Sequence, residues 1–296
     1  MRIRTTVAFA AMLAALTVAP AAQAKGTAII VGGNAAGEAA PFSIGPGGGF
    51  TALAKSPTGG TPRSVAITPN GLFAYVTFLG AGTPGISGFS IGQSGTLTPL
   101  PGVSPFLLGA GNAPDGLAVS PNGQNLYVAQ QGSNSVRTFT IGGDGSLTDL
   151  GATPVANIGQ GEVAVAPDGQ RLYVTTTNGV VSFSIGANGA LTALGGPFAA
   201  GTTPRGIAFA PNGQSLYVGN SGSNNVTAFA VAANGSLTSL GNSATGTTPV
   251  TVAVSQDGRF VYTANSGTDN VSGFAIGANG GGLEGHGLPL PREQRA

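Results

Sequence analysis

Apolar and polar positions alternate along most of this chain in short runs, and one arrangement of those runs recurs. It is clearest at 204–240, PRGIAFAPNGQSLYVGNSGSNNVTAFAVAANGSLTSL. The run GIAFA is followed by a Pro-Asn-Gly turn, a second run SLYVG, a polar stretch, a third run VTAFAV, an Asn-Gly turn and a closing LTSL. Short runs rich in Val, Ile, Phe, Tyr and Thr, bounded by Gly, Pro, Asn and Ser, are read as strands. Asn-Gly and Asp-Gly between such runs favour two-residue hairpins, because both central residues must take positive φ and these accept it at least cost. The unit therefore reads as four antiparallel strands. In the third, Val226, Ala228 and Ala230 face one way and Thr227, Phe229 and Val231 the other. Both faces are largely apolar, which suits a sheet sandwiched between neighbours.

The unit repeats. Tyr75, Tyr127, Tyr173, Tyr217 and Tyr262, the five tyrosines of the chain, stand 52, 46, 44 and 45 residues apart. Each follows an Asx-Gly turn (Asn70-Gly71, Asn122-Gly123, Asp168-Gly169, Asn212-Gly213, Asp257-Gly258) and precedes a strand centred on Phe89, Phe139, Phe183, Phe229 or Phe274. A fixed period with four short strands per unit predicts an all-β fold, a β-propeller of four-stranded antiparallel blades. First strands are expected near Val65, Leu117, Val163, Ile207 and Val252. Ahead of them, strands near Ala28 to Val31, Phe42 to Ile44 and Phe50 to Leu53 form a unit without its first strand. After Phe274-Ala275-Ile276 the pattern stops, so about six blade-equivalents are expected, the first and last incomplete. One propeller domain is expected over 25–280, with 281–296 as an atypical, disordered tail holding the only histidine, His286.

Residues 1–24 have another character. Arg2 and Arg4 precede an apolar core from Val7 to Ala19, and Ala22-Gln23-Ala24 forms an A-x-A cleavage site. This is the pattern of a Sec-type signal peptide, and the apolar core is short for a membrane span of roughly 20 residues. The mature protein is expected to be soluble, secreted or in the periplasm or cell envelope, with no membrane span after cleavage.

Composition changes the picture in two respects. With 52 glycines and 20 prolines among 296 residues and only 7% charged, the chain approaches disordered compositions, yet 41% of it is hydrophobic and the glycines recur at fixed turn positions. The net charge of +1 supplies no basic footprint for nucleic acid, and the absence of cysteine excludes disulfides and thiol catalysis.

The repeats SPNGQNLYVAQQGSNSV (120–136) and APNGQSLYVGNSGSNNV (210–226), each followed by an F-x-I-like strand, an Asx-Gly turn and LT-L, resemble the YVTN-type repeats of the seven-bladed lactonase-like propellers, which include 6-phosphogluconolactonase. The resemblance covers nearly all of 28–276. It implies a lactone-hydrolysing relative that holds an anionic group with arginine and uses a histidine or glutamate near the channel. It implies no cofactor.

In a propeller the first strand of each blade lines the central channel, and the residues just before it emerge at one mouth. Those lead-ins are Pro62-Arg63-Ser64, Pro114-Asp115-Gly116, Gln160-Gly161-Glu162, Pro204-Arg205-Gly206 and Pro249-Val250-Thr251. Four of the five carry a charge in a chain with few charges. Arg63, Asp115 and Arg205 are the candidate ligand-binding residues, since paired guanidinium hydrogen bonds suit a carboxylate or phosphate, and Glu162 is the candidate catalytic base. On the sequence the structural reading is favoured, in which opposite charges on neighbouring blades pair around the mouth and stabilise it, because ion-pair networks imitate functional sites. No metal site is expected: Asp144, Asp168 and Asp257 sit in turns, where aspartate serves the backbone. Arg137 interrupts an apolar strand, its stem expected to pack between blades. No histidine stands at a repeat position. On that ground an exported binding or scaffold propeller, for a small anion or a cell-envelope or protein partner, is favoured on the sequence over a lactonase.

Overall fold

The computed structural model describes residues 27–30, 37–44, 50–80 and 82–286, so the leader expected at 1–24 lies outside the described residues, as do 287–296. The turns come first, because they set the sheets. At each Asx-Gly only the glycine has positive φ, for example +68° at Gly71 and +69° at Gly213. The Gly71 N–H donates to the Thr68 carbonyl at 2.8 Å, and the same bond closes Ser120 to Gly123, Ala166 to Gly169, Ala210 to Gly213 and Ser255 to Gly258. These are four-residue turns with proline (glutamine in the last) in second place, not the two-residue hairpins expected from Asn-Gly alone. Proline fixes φ near −65°, which excludes the mirror-image hairpin turns, and the negative φ of the Asx residue makes the turn type I. The Asx side chain then accepts the N–H two residues on, Leu72 from Asn70 at 3.0 Å and Gln170 from Asp168 at 2.9 Å.

The strands form six antiparallel blades. Blade 1 contains β1 (Thr27–Ile30) and β2 (Glu38–Ile44), with an outer strand broken into β3 (Phe50–Ala52) and β4 (Ser56–Pro57). Among the described residues it has no inner strand, as the repeat alignment requires. Blade 2 runs β5 (Thr61–Ile67), β6 (Phe73–Leu79), β7 (Gly85–Ile91) and a broken outer strand, β8 (Leu97–Pro99) and β9 (Phe106–Leu107). Blade 3 is β10 (Pro114–Val119), β11 (Asn125–Gln130), β12 (Ser135–Ile141) and β13 (Leu147–Pro154). Blade 4 is β14 (Val163–Val165), β15 (Arg171–Thr176), β16 (Gly179–Ile185) and β17 (Leu191–Phe198). Blade 5 is β18 (Pro204–Phe209), β19 (Ser215–Asn220), β20 (Asn225–Val231) and β21 (Leu237–Ala244). Blade 6 is β22 (Pro249–Val254), β23 (Phe260–Asn265), β24 (Asn270–Ala275) and β25 (Glu284–His286).

The last strand corrects the sequence reading. Glu284–His286, expected in a disordered tail, pairs with β24 in the register Gly273↔His286, Phe274↔Gly285 and Ala275↔Glu284. The last blade is therefore complete. Its outer strand was hidden because GGLEGH lacks the LT-L spelling of the other outer strands.

The core lies between blades. Leu126, Val128 and Phe139 of blade 3 pack with Tyr75, Ile86 and Leu108 of blade 2, while Tyr127, Ala129 and Val136 on the other face pack with Leu172, Val174 and Phe183 of blade 4. The repeated tyrosine crosses each such interface. The hydroxyl of Tyr75 donates to the Gly145 carbonyl at 2.8 Å, Tyr127 to Gly189 at 3.2 Å, Tyr173 to Gly235 at 3.1 Å and Tyr217 to Gly280 at 2.8 Å. Each acceptor is the glycine of the next blade's outer turn, so the buried hydroxyl is satisfied and adjacent blades are held in register.

Candidate active site

The inner strands β5, β10, β14, β18 and β22 lie side by side in that order. Four of them begin with a bulge. The register against the second strand shifts between Pro62 and Ser64, Pro114 and Leu117, Pro204 and Ile207, and Pro249 and Thr251. Arg63, Asp115 and Arg205 fall in these gaps. A bulge releases its residue from the pleat and re-aims the side chain, a device concentrated near functional sites.

The four charged residues named from the sequence converge. Arg63 binds Asp115 on the next blade in a two-pronged contact, Nε to Oδ1 at 3.2 Å and Nη2 to Oδ2 at 3.3 Å. Asp115 is 8% exposed, and burial raises its pKa although Arg63 and Arg205 oppose the shift. Burial lowers the Arg205 pKa against the pull of Asp115 and Glu162. Glu162 is the most perturbed of the four. Burial first, then the Asp115 charge, push its pKa from the ordinary range up to about 8, against Arg205 and Arg63. Residues from blades 2, 3, 4 and 5 thus share one electrostatic site.

Glu162 differs from Asp115 in a further respect. Its carboxyl makes no salt bridge among the described residues, yet its oxygens are not among the sealed, unpartnered polar atoms, which are Gln130 Nε2 and Asn220 Oδ1. The residue is partly buried, and Asp115, Arg205 and Arg63 act on its carboxyl through space without an ion-pair contact. Its room comes from Gly116, the matching position on blade 3, where a Cβ would fall 2.3 Å from Glu162 Oε2 and 2.6 Å from Glu162 Cα. The backbone there is tied across blades by the Gly116 N–H to the Gly161 carbonyl at 3.0 Å.

Other residues named from the sequence lie elsewhere. Arg137 pairs with Asp149 across β12 and β13, its guanidinium 6.0 Å from the Phe139 ring centre. Asp144 accepts the Ser146 N–H in its turn, Asp168 pairs with Arg171, and Asp257 with Arg259. His286 belongs to β25, three strands out from the inner strand of its blade. Two asparagines in the loops after the second strands serve backbone: Asn134 accepts the Ile158 N–H at 2.9 Å and Asn224 the Thr248 N–H at 2.8 Å. Sequence reasoning missed Thr77 and Thr175, whose hydroxyls bond backbone of the site. Their signal is a threonine two places after the repeated tyrosine in two of five units.

The profile of the lactonase, seven-bladed β-propeller family matches residues 40–159 and 152–254. The chain belongs to this family. Solved structures agree in fold. A candidate 6-phosphogluconolactonase from Bacteroides uniformis superposes with a TM-score of 0.75 at 22% identity, covering 88% of this chain and 80% of that one. The periplasmic gluconolactonase of Pseudomonas aeruginosa gives 0.73 at 20% identity, covering 87% and 80%. Virginiamycin B lyase of Staphylococcus aureus, a different chemistry, gives 0.61 at 17% identity, covering 91% and 83%. No curated protein is significantly similar in sequence. Against the seven blades of the family description, this lactonase-family propeller has six among its described residues.

Proposed function

We propose that this protein hydrolyses an anionic sugar lactone at the channel mouth formed by Arg63, Asp115, Glu162 and Arg205. The observation that carries this is Glu162: a carboxyl with no salt bridge among the described residues, its pKa raised by burial to about 8 beside a second carboxyl and two arginines. Burial raises both carboxyls, but Arg63 pairs with Asp115 and favours its charged form, while the Asp115 charge raises Glu162 further, so the two divide into a base and an acid. Near neutral pH Glu162 holds its proton and Asp115 is ionised. The base role expected for Glu162 therefore becomes that of proton donor. With both arginines charged, the quartet carries a net positive charge that favours a substrate carboxylate or phosphate.

In the step that follows, the oxygen of a water molecule bonds to the lactone carbonyl carbon and the ring carbon–oxygen bond breaks. The ring oxygen takes the Glu162 proton, and the water's proton passes to Asp115, which Arg63 holds in place. The products are a hydroxy acid and the site with its proton moved, restored by exchange with solvent. The family match and the gluconolactonase among the structural neighbours support this chemistry. A binding propeller without turnover, favoured on the sequence, comes second because it leaves the raised Glu162 without a task. We also propose export, supported by the leader pattern at 1–24 and by a structural neighbour described as periplasmic.

The test uses residues 25–296 with a panel of neutral, carboxylated and phosphorylated sugar lactones, following turnover and melting temperature together. Expected are turnover of a charged lactone, a loss of about a hundredfold or more in kcat in Glu162→Gln, and weakened binding in Arg63→Ala and Arg205→Ala. Stabilisation by sugar acids without any turnover would replace the enzyme by the binding protein.

A further inference from the structure

Thr77 and Thr175 occupy the same place in blades 2 and 4, two residues after the repeated tyrosine, and both are fully buried. Each hydroxyl makes the same pair of bonds. Thr77 Oγ1 accepts the N–H of Ser64 at 3.1 Å and donates to the Asp115 carbonyl at 2.7 Å. Thr175 Oγ1 accepts the N–H of Glu162 itself at 2.8 Å and donates to the Arg205 carbonyl at 3.1 Å. One hydroxyl thus joins the lead-in of its own blade to that of the next, with donor and acceptor both used.

The residues so joined are the charged ones. Thr77 spans the Arg63–Ser64 and Asp115 lead-ins, and Thr175 spans Glu162 and Arg205. The matching positions in the other units are Ala129, Gly219 and Ala264, which have no hydroxyl. Stability alone does not require threonine there, since three of five blades manage without it. Between blades 3 and 4 the backbone bond from Gly116 to Gly161 takes over. The hydroxyls therefore occur where two charged lead-ins must be held at a fixed separation.

We propose that Thr77 and Thr175 are positioning residues of the active site, Thr77 fixing the Arg63–Asp115 pair and Thr175 fixing Glu162 against Arg205. Neither hydroxyl is free to meet a substrate. Each acts through backbone groups of its neighbours, and a small loss of alignment in a reacting site is enough to cost up to about a hundredfold in rate. The kinetic part rests on the lactone-hydrolysis reading, whereas the placement of Glu162 does not.

The experiment compares Thr77→Val, Thr175→Val, Thr77→Ser and Thr175→Ser in the full mature chain. Alanine variants, which copy Ala129, serve where valine does not fold. Two quantities are read: kcat and KM on the lactone that the wild type turns over, and the titration of Glu162 by carboxyl-carbon NMR. The chain has four glutamates, Glu38, Glu162, Glu284 and Glu293, so the Glu162 signal is assigned by its loss in Glu162→Gln. Valine or alanine is expected to lower kcat about tenfold or more with little change in KM, and serine to stay near wild type. Because the Glu162 midpoint depends on where its carboxyl is held among Asp115, Arg205 and Arg63, Thr175→Val should shift that midpoint away from about 8 while Thr175→Ser leaves it there. Wild-type rates and an unmoved Glu162 midpoint in the valine and alanine variants would overturn the proposal. A wild type that turns over no lactone, combined with a midpoint that moves in valine and not in serine, would overturn the enzymatic reading and leave the positioning role standing.

Discussion

Glu162 shows what one residue contributes and costs. Its folded pKa, about 8, lies above that of an unfolded glutamate, so the folded state binds more protons over the interval between them. The stability linked to this group is fully present below the unfolded pKa and is lost as pH rises to about 8. Wild-type protein should therefore lose stability from about pH 5 to pH 8, and Glu162→Gln should lack that part of the slope and be the more stable protein at pH 8. The difference there is on the order of 3 kcal/mol, below the full conversion at about 1.4 kcal/mol per pKa step because water reaches part of the group. Denaturant unfolding at several pH values measures it, and equal slopes for the two proteins would show that the carboxyl is not perturbed. A site that is destabilising by itself is common where chemistry requires it. The positions of Arg63, Asp115, Glu162 and Arg205 were legible because aligned repeats place each lead-in at one mouth. The protonation of Glu162 was not, because its causes are burial in the folded ring and the Asp115 charge on blade 3, and no local pattern in blade 4 records them.

At the scale of the element, turns and staples decide the blade. Asn-Gly and Asp-Gly correctly marked the hairpins, but the preceding proline set the turn type, and reading the dipeptide without that proline led to the wrong geometry. The tyrosines were equally visible, and their spacing marked five of the six blades. What each hydroxyl does became clear only across an interface, since its acceptor is a glycine about 62 residues ahead in sequence, as for Tyr127 and Gly189. Tyr173→Phe should cost about 1–2 kcal/mol, the loss of one buried hydrogen bond that leaves the Gly235 carbonyl unpaired. Equilibrium denaturation checks this, and an unchanged midpoint would mean that the hydroxyl bond is not stabilising. Thr77 and Thr175 belong to the same scale. A threonine inside a β-strand is ordinary in sequence, so only the position it shares in alternate blades distinguishes it.

For the whole molecule, each blade touches its neighbours and the proposed active site belongs to no single one of them. Arg63, Asp115, Glu162 and Arg205 come from four successive blades, and the inter-blade bonds of Thr77, Gly116 and Thr175 hold their lead-ins together. The all-β propeller was legible almost throughout from the period. Its last strand was not, because Glu284–His286 departs from the repeat spelling that identifies the outer strands of blades 2 to 5. In the proposed mechanism the proton-carrying group is a carboxyl whose surroundings move it into the range where a histidine would titrate, so that mechanism needs no histidine at a repeat position. The most direct test is the pH dependence of kcat/KM for a charged sugar lactone, corrected for spontaneous hydrolysis. With Glu162 as proton donor, the rate should hold level up to about pH 8 and then fall about tenfold per pH step, and the fall should be absent from any residual activity of Glu162→Gln. A rate that climbs through pH 8, or a Glu162→Gln profile identical to wild type, would contradict the account.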